Sequence, residues 1–187
     1  MFKKIALGIA AAIVLLLVVV ATRPPTFHVE RSQVVDAPPA VVFAQVSDFH
    51  AWSAWSPWEK LDPAMKRSYE GAASGRGAQY AWVGNSQVGE GRMTIEQANP
   101  PARLVIRLEF LKPFEATNTA TFSFVPEGSL TKVTWAMDGK NTFIGKAMSL
   151  FVSMDKMIGG DFERGLGALK TVSERAAKSG SVAEVAK

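Results

Sequence analysis

The sequence predicts an α+β fold in which a curved antiparallel sheet of about seven strands wraps on a long C-terminal helix. Three observations predict it: bulky residues at every second position between Gly77 and Gly139, helical spacing from Ile144 onward, and turn residues set between the runs. Along the alternating region, one side carries Tyr80 and Trp82; Gly91, Met93 and Ile95; Leu104, Ile106, Leu108 and Phe110; Ala120, Phe122 and Phe124; Val133, Trp135 and Met137. The positions between them hold Arg92, Thr94, Glu96, Arg103, Arg107, Glu109, Thr119, Thr121, Ser123, Lys132 and Thr134. Successive strand side chains point to opposite faces, so this pattern describes a sheet buried on one face and wet on the other.

The remaining elements follow in order. Phe27 to Val35 is β-rich and reads as the first strand. Asp36-Ala37-Pro38-Pro39 places Pro near a first helical turn, and Val42, Phe43, Val46 and Phe49 recur at helical spacing behind it. Trp52, Trp55 and Trp58 occupy a second short helix and loop interrupted by Pro57. Met65 to Glu70 is a weaker strand, and Gly71 to Gly77 a glycine-rich connection. Gly84-Asn85-Ser86-Gln87, Asn99-Pro100-Pro101, Lys112-Pro113 and Pro126-Glu127-Gly128-Ser129 punctuate the strands as hairpin turns. The C-terminal helix is read from Ile144, Ala147, Met148, Phe151, Met154, Ile158, Phe162, Leu166, Leu169 and Val172. Gly159-Gly160 is its expected soft spot and a possible hinge, since glycine weakens a helix by about 1 kcal/mol relative to alanine.

Ile5 to Ala21 contains only Ile, Ala, Leu, Gly and Val. A helix from Ile5 to Thr22 spans roughly 27 Å at about 1.5 Å per residue, close to the thickness of a hydrocarbon core. A retained anchor and a cleaved secretory signal both fit. The length of the run and the poor cleavage signal at Val19-Val20-Ala21 favour the anchor. Lys3 and Lys4 then keep the N-terminus cytoplasmic and place the globular part outside, in the periplasm of a Gram-negative cell. The expectation is a single pass through the inner (plasma) membrane.

The net charge of +4 owes three of its cations to Lys3, Lys4 and Arg23. Eighteen basic side chains then face seventeen acidic ones, so the globular part is nearly neutral and lacks the concentrated basic face that nucleic acid requires. There is no cysteine, which excludes disulfides and thiol chemistry. No clustered metal ligands are visible, and nothing in the sequence calls for a cofactor. Glycines 71, 75 and 77 lead into the strand Ala78 to Trp82 rather than a helix, so they are hairpin glycines and not a phosphate cradle.

Certain strings, in this order, carry a family resemblance: Ala37-Pro38-Pro39 with Val41-Val42-Phe43; Trp55-Ser56-Pro57-Trp58; Asp62-Pro63; Gly75-Arg76-Gly77-Ala78 ahead of Tyr80-Ala81-Trp82; and Asp161-Phe162-Glu163, Gly165-Leu166 and Leu169-Lys170. With the order of elements, they make the chain from Phe27 to Glu174 similar to the helix-grip fold of the START-like (SRPBCC) superfamily. The resemblance is to its polyketide cyclase/dehydrase-like branch, including members with one N-terminal membrane helix. It implies a cavity between sheet and helix that binds apolar molecules such as lipids, sterols or polyketides. The expected organisation is a transmembrane anchor over 1–22, a tether over 23–26, one helix-grip domain over 27–178 and a disordered tail over 179–187.

The expected ligand-binding residues are Tyr80, Trp82, Met93, Ile95, Leu108, Phe110, Phe122, Trp135, Met137, Met148, Phe151, Met154 and Ile158. An apolar hollow under one helix is a ligand site by default, and methionine adapts its shape to a guest, although it also simply fills cores. Tyr80, Trp82, Asn118 and Trp135 could supply polar contacts, Asn118 depending on register. The leading expectation is a membrane-tethered binder or carrier of a hydrophobic small molecule. An enzyme of cyclase or hydrolase type is a second reading, with His50, Asp48 or Tyr80 as proton carriers. Against it, Asp48 can serve as a helix cap and His50 as a surface turn residue. A protein-interaction module using the polar sheet face is a third. Trp52, Trp55 and Trp58 read equally as an aromatic lid or interface belt and as core.

Overall fold

The alternation between Tyr80 and Met137 becomes one face of a seven-stranded antiparallel sheet. The computed structural model describes residues 2–185, with side chains described as far as residue 180. Helix α1 (Phe2–Ala21) precedes β1 (Thr26–Val35), α2 (Pro39–Ser47) and two 3-10 turns, Phe49–Ala54 and Pro57–Lys60. There follow β2 (Lys66–Gly71), β3 (Ala78–Val83), β4 (Glu90–Asn99), β5 (Arg103–Lys112), β6 (Ala116–Glu127) and β7 (Leu130–Lys140). Helices α3 (Phe143–Met148) and α4 (Met154–Val185) complete the described chain. By length and composition α1 is able to cross a membrane. Helix α4 runs through most of segment 179–187, whose last two residues lie outside the described ones.

The strand order is β1-β7-β6-β5-β4-β3-β2, so the first strand pairs with the last. Cross-strand partners share a face: Trp82 meets Gly91, Met93 meets Leu108, Ile106 meets Ala120, Phe122 meets Trp135 and Met137 meets Val29. Short elements start where the sequence supplies caps. Pro39 opens α2 behind an extended Pro38, Asp48 accepts the His50 N–H at 2.8 Å, and Thr142 Oγ1 accepts the Gly145 N–H at 3.1 Å.

The buried face has more cover than the final helix alone. Helix α4 lies chiefly along edge strand β1 and buries Phe162, Leu166 and Leu169. Helix α2 adds Val42, Phe43 and Val46, and the first 3-10 turn adds Phe49 and Trp52, with Trp55 just after it. Trp52 and Trp55 are therefore core, and Trp58 is partly buried against it. Trp135 stacks on Phe162 at 4.3 Å and on Phe122 at 4.8 Å, while Trp52, Trp55 and Trp58 meet it edge-on at 6.3, 5.7 and 5.6 Å. Each such pair contributes about 0.5–1.5 kcal/mol beyond area burial. The indole N–H groups of Trp52 and Trp55 donate to the Val46 and Gln45 carbonyls, tying the turns to α2.

Two details of the helix differ from expectation. The spacing from Ile144 is not one helix: α3 ends at Met148, and α4 begins at Met154. Spacing reports an apolar stripe but not what covers it, and Phe143, Ile144, Met148 and Phe151 all stay exposed. Nor does the chain break at Gly159-Gly160, through which α4 is continuous. Arg31 explains Gly159. Its guanidinium donates to Asp155 at 2.7 Å and to Glu163 at 2.7 Å, passing over the helix backbone so closely that a Cβ at 159 would strike it. The soft spot is a clasp.

The neighbouring glycine provides a control, because the nearest atom to a Cβ at 160 is Arg164 Nη1 at 3.6 Å. Gly160→Ala should raise stability by up to about 1 kcal/mol through helix propensity. Gly159→Ala should gain less or lose, because it evicts Arg31. Thermal denaturation of the two variants checks this; equal gains would count against the clasp.

Candidate functional site

Where α2 covers the sheet, side chains interlock: Leu104, Ile106, Phe122, Phe124 and Val133 are fully buried. Toward the other end, near the start of β1 and the end of β7, that cover is missing. A cavity of about 260 Å³ remains there, just below the range of about 300–1,000 Å³ usual for small-molecule pockets. Its walls are Phe27 of β1, Tyr80 and Trp82 of β3, Met93 of β4, Leu108 and Phe110 of β5, Asn118 and Ala120 of β6, and Trp135 and Met137 of β7. Met154 and Ile158 of α4 form one side, and Trp52, Ser56, Trp58, Glu59, Met65, Gln87 and Val88 close the rest.

Nine of the thirteen expected residues line this space: Tyr80, Trp82, Met93, Leu108, Phe110, Trp135, Met137, Met154 and Ile158. Four do not. Ile95 and Phe122 sit in the packed half of the same face, because period-2 alternation gives the face and not the position along it. Met148 and Phe151 belong to the segment around the α3–α4 break, and Phe151 is 87% exposed. Asn118 faces inward, its register set by pairing with Gly139.

The polar groups are few, and most are already satisfied. Glu59 accepts from the Tyr80 hydroxyl at 2.6 Å and from Arg67 Nε at 2.7 Å, so both carboxylate oxygens are engaged. Burial, followed by that hydrogen bond to a carboxylate, pushes the Tyr80 phenol well above the ordinary tyrosine range. The Trp82 indole donates to the Val88 carbonyl at 3.0 Å and lies over Gly91, where any Cβ would collide with the ring. Two groups keep capacity to spare. The Asn118 amide contacts the Met137 sulfur at 3.8 Å, a weak partner, and the Trp135 N–H is buried without a partner among the described residues.

Sequence reasoning missed Glu59 and Arg67. They lie eight residues apart in a turn and a strand, with no periodicity to join them; a lone acid beside three tryptophans was the available signal. Of the candidate proton carriers, Tyr80 lines the cavity and His50 and Asp48 do not. His50 stacks on Tyr69 at 4.0 Å with Asp48 3.0 Å from its Nδ1, and His28 pairs with Asp138 at 2.7 Å; none of these four lines the cavity. Among the described residues no group of three or more His, Cys, Asp or Glu side chains could hold a metal ion.

The chain has two tyrosines, and both phenols are raised, Tyr69 by burial first and then by the Glu59 charge. The folded state therefore holds these protons when an unfolded tyrosine, near pH 10, releases them. Their contribution to stability is complete below that value and is lost as pH rises above it. Absorbance titration of the native protein should show at most one tyrosine, Tyr69, ionising above its ordinary value, with Tyr80 ionising only on alkaline unfolding. Ionisation of both tyrosines in the native protein near pH 10 would contradict the buried Tyr80–Glu59 pair.

The family described as polyketide cyclase / dehydrase and lipid transport matches residues 26–174. No curated protein matches the chain. Similar solved structures include a Thermobifida fusca protein determined in solution (24% identity, TM-score 0.59, 79% of this chain and 93% of that one). A Thermus thermophilus protein is similar at 19% identity and TM-score 0.58, over 81% of this chain and 99% of that one. The di-domain ARO/CYC BexL of the BE-7585A biosynthetic pathway is similar at 16% identity and TM-score 0.59, over 83% of this chain and 52% of its own. At these identities the structures speak for the fold alone. The sheet gripped along its edge by α4, and the family match across 26–174, make this chain a member of the polyketide cyclase/dehydrase and lipid transport family, in the START-like superfamily.

Proposed function

We propose that the chain binds or carries a hydrophobic small molecule, lipid-like or polyketide-like, in the cavity between sheet and α4. A single observation carries this reading: a hollow walled by aromatic, aliphatic and methionine side chains, whose one carboxylate is already paired with Arg67 and hydrogen-bonded by Tyr80. Such a space disfavours ions and highly polar guests. The nine lining residues named above would hold the guest's apolar body, and the Asn118 amide would meet a polar group on it. The family's description, which names both polyketide cyclase and lipid transport, supports this reading.

The location we propose is the inner membrane. Residues 1–22 span the bilayer once with a cytoplasmic N-terminus, residues 23–26 form the tether, and residues 27–178 form an extracytoplasmic domain. The length and composition of α1, with Lys3 and Lys4 before it, support this topology. Carriage is favoured over catalysis because the Tyr80 hydroxyl is already committed to Glu59, and His50 and Asp48 lie outside the cavity.

Full-length protein extracted in mild detergent should release an apolar compound on denaturation, detected by mass spectrometry. Ala120→Leu, which fills the hollow from the middle of β6, should weaken binding of a hydrophobic naphthylamine probe about tenfold or more, roughly 1.4 kcal/mol, without lowering the melting temperature. Equal probe binding by both proteins, with no compound released, would sink the proposal.

A further inference from the structure

Strand register gathers several separate features at one end of the molecule. Thr26 pairs with Lys140, Asn118 with Gly139, Phe110 with Ala116 and Glu90 with Lys112. The start of β1, the end of β7, the β5–β6 turn and the start of β4 therefore share that end. It is also the end where the cavity lies, through Phe27, Phe110, Asn118, Met137 and Met154. Large apolar side chains are exposed there on two segments distant in sequence: Leu111 and Phe114 at the β5–β6 turn, and Phe143, Ile144, Met148 and Phe151 around α3. Phe114 is 67% exposed and Phe151 87% exposed, where a soluble surface would carry polar groups.

The exit of α1 is fixed to the same place. Asn141, between β7 and α3, donates its backbone N–H to the Pro25 carbonyl at 2.8 Å. Its side-chain amide donates to the Pro24 carbonyl at 3.0 Å and the Thr26 carbonyl at 3.2 Å. Helix α1 then meets α3, and Val20 is buried near its C-terminal end while the rest of the described helix stays exposed. The tether is stapled to the domain and cannot let it swing freely.

We infer that this end is a bilayer-docking rim. The α3 segment and the β5–β6 turn insert their apolar side chains into the membrane interface beside α1, so that the cavity opens onto the acyl region. The inference rests on the reading of α1 as an anchor. The occupant is lipid because the stapled exit of an apolar helix holds this rim, and no other part of the surface, against the bilayer. A guest can then pass between membrane and cavity without crossing water.

The absence of cysteine makes the test direct. Leu15→Cys, Phe114→Cys, Phe151→Cys and Ser129→Cys, the last in the turn at the opposite end of the sheet, would each carry one nitrobenzoxadiazole label. The full chain would be reconstituted in phosphatidylcholine vesicles containing acyl-chain spin-labelled lipid. The expected result is several-fold stronger quenching at positions 15, 114 and 151 than at 129. Quenching at 15 with 114 and 151 behaving like 129 overturns the rim and leaves the anchor standing. No quenching at 15 overturns both. Blue-shifted but unquenched labels at 114 and 151 place them against protein, which also overturns the rim. Repeating the measurement on the Ala120→Leu background separates docking from guest binding, since quenching should persist when the cavity is filled.

Discussion

Arg31 fastens α4 to the edge strand, and the hollow follows from that placement. The guanidinium sits on the inner face of β1 and reaches Asp155 and Glu163, two turns apart on the helix, with Gly159 between them. A helix held along one edge cannot also cover the far strands of a seven-stranded sheet. The buried face must find other cover or stay hollow, and it does both.

The aromatic block decides where each happens. Phe49, together with Trp52 and Trp55, which are tied to α2 by their indole N–H bonds to backbone carbonyls, fills the half of the sheet around Phe122 and Trp135. Large rings bring much buried area at low rotamer cost, so two short turns can close a space that would otherwise need a second helix. Where α2 and the block stop, methionines, Leu108, Phe110 and Ala120 are left facing an unfilled volume.

The cavity is polar in places but carries little uncompensated charge. A carboxylate open to such a space would be costly, and Glu59 avoids that cost by accepting from Arg67 and Tyr80 at once. The Asn118 amide, whose partner is the Met137 sulfur, is a neutral group, suited to orient a mostly apolar guest without selecting a charged one. In the proposed arrangement such a guest comes from the bilayer. The stapled tether and the apolar rim then place the site near its source.

By itself the sequence determined the sheet, its wet and buried faces, the two short elements after β1, and which of its helices is apolar enough for a bilayer. These are properties of local period and composition: Met93 and Met137 face inward because each sits at the right parity in its strand, whatever the rest of the chain does. Only the tertiary structure decided where along the buried face the hollow lies, which separated Met93 from Ile95 and Ala120 from Phe122. It alone joined Glu59 to Arg67 and Tyr80, turned Phe151 outward at the α3–α4 break, and made Gly159 a seat for Arg31. Each of these depends on what a distant element brings to the same place. Parity and spacing specify a direction, and contact requires a partner that no single segment encodes.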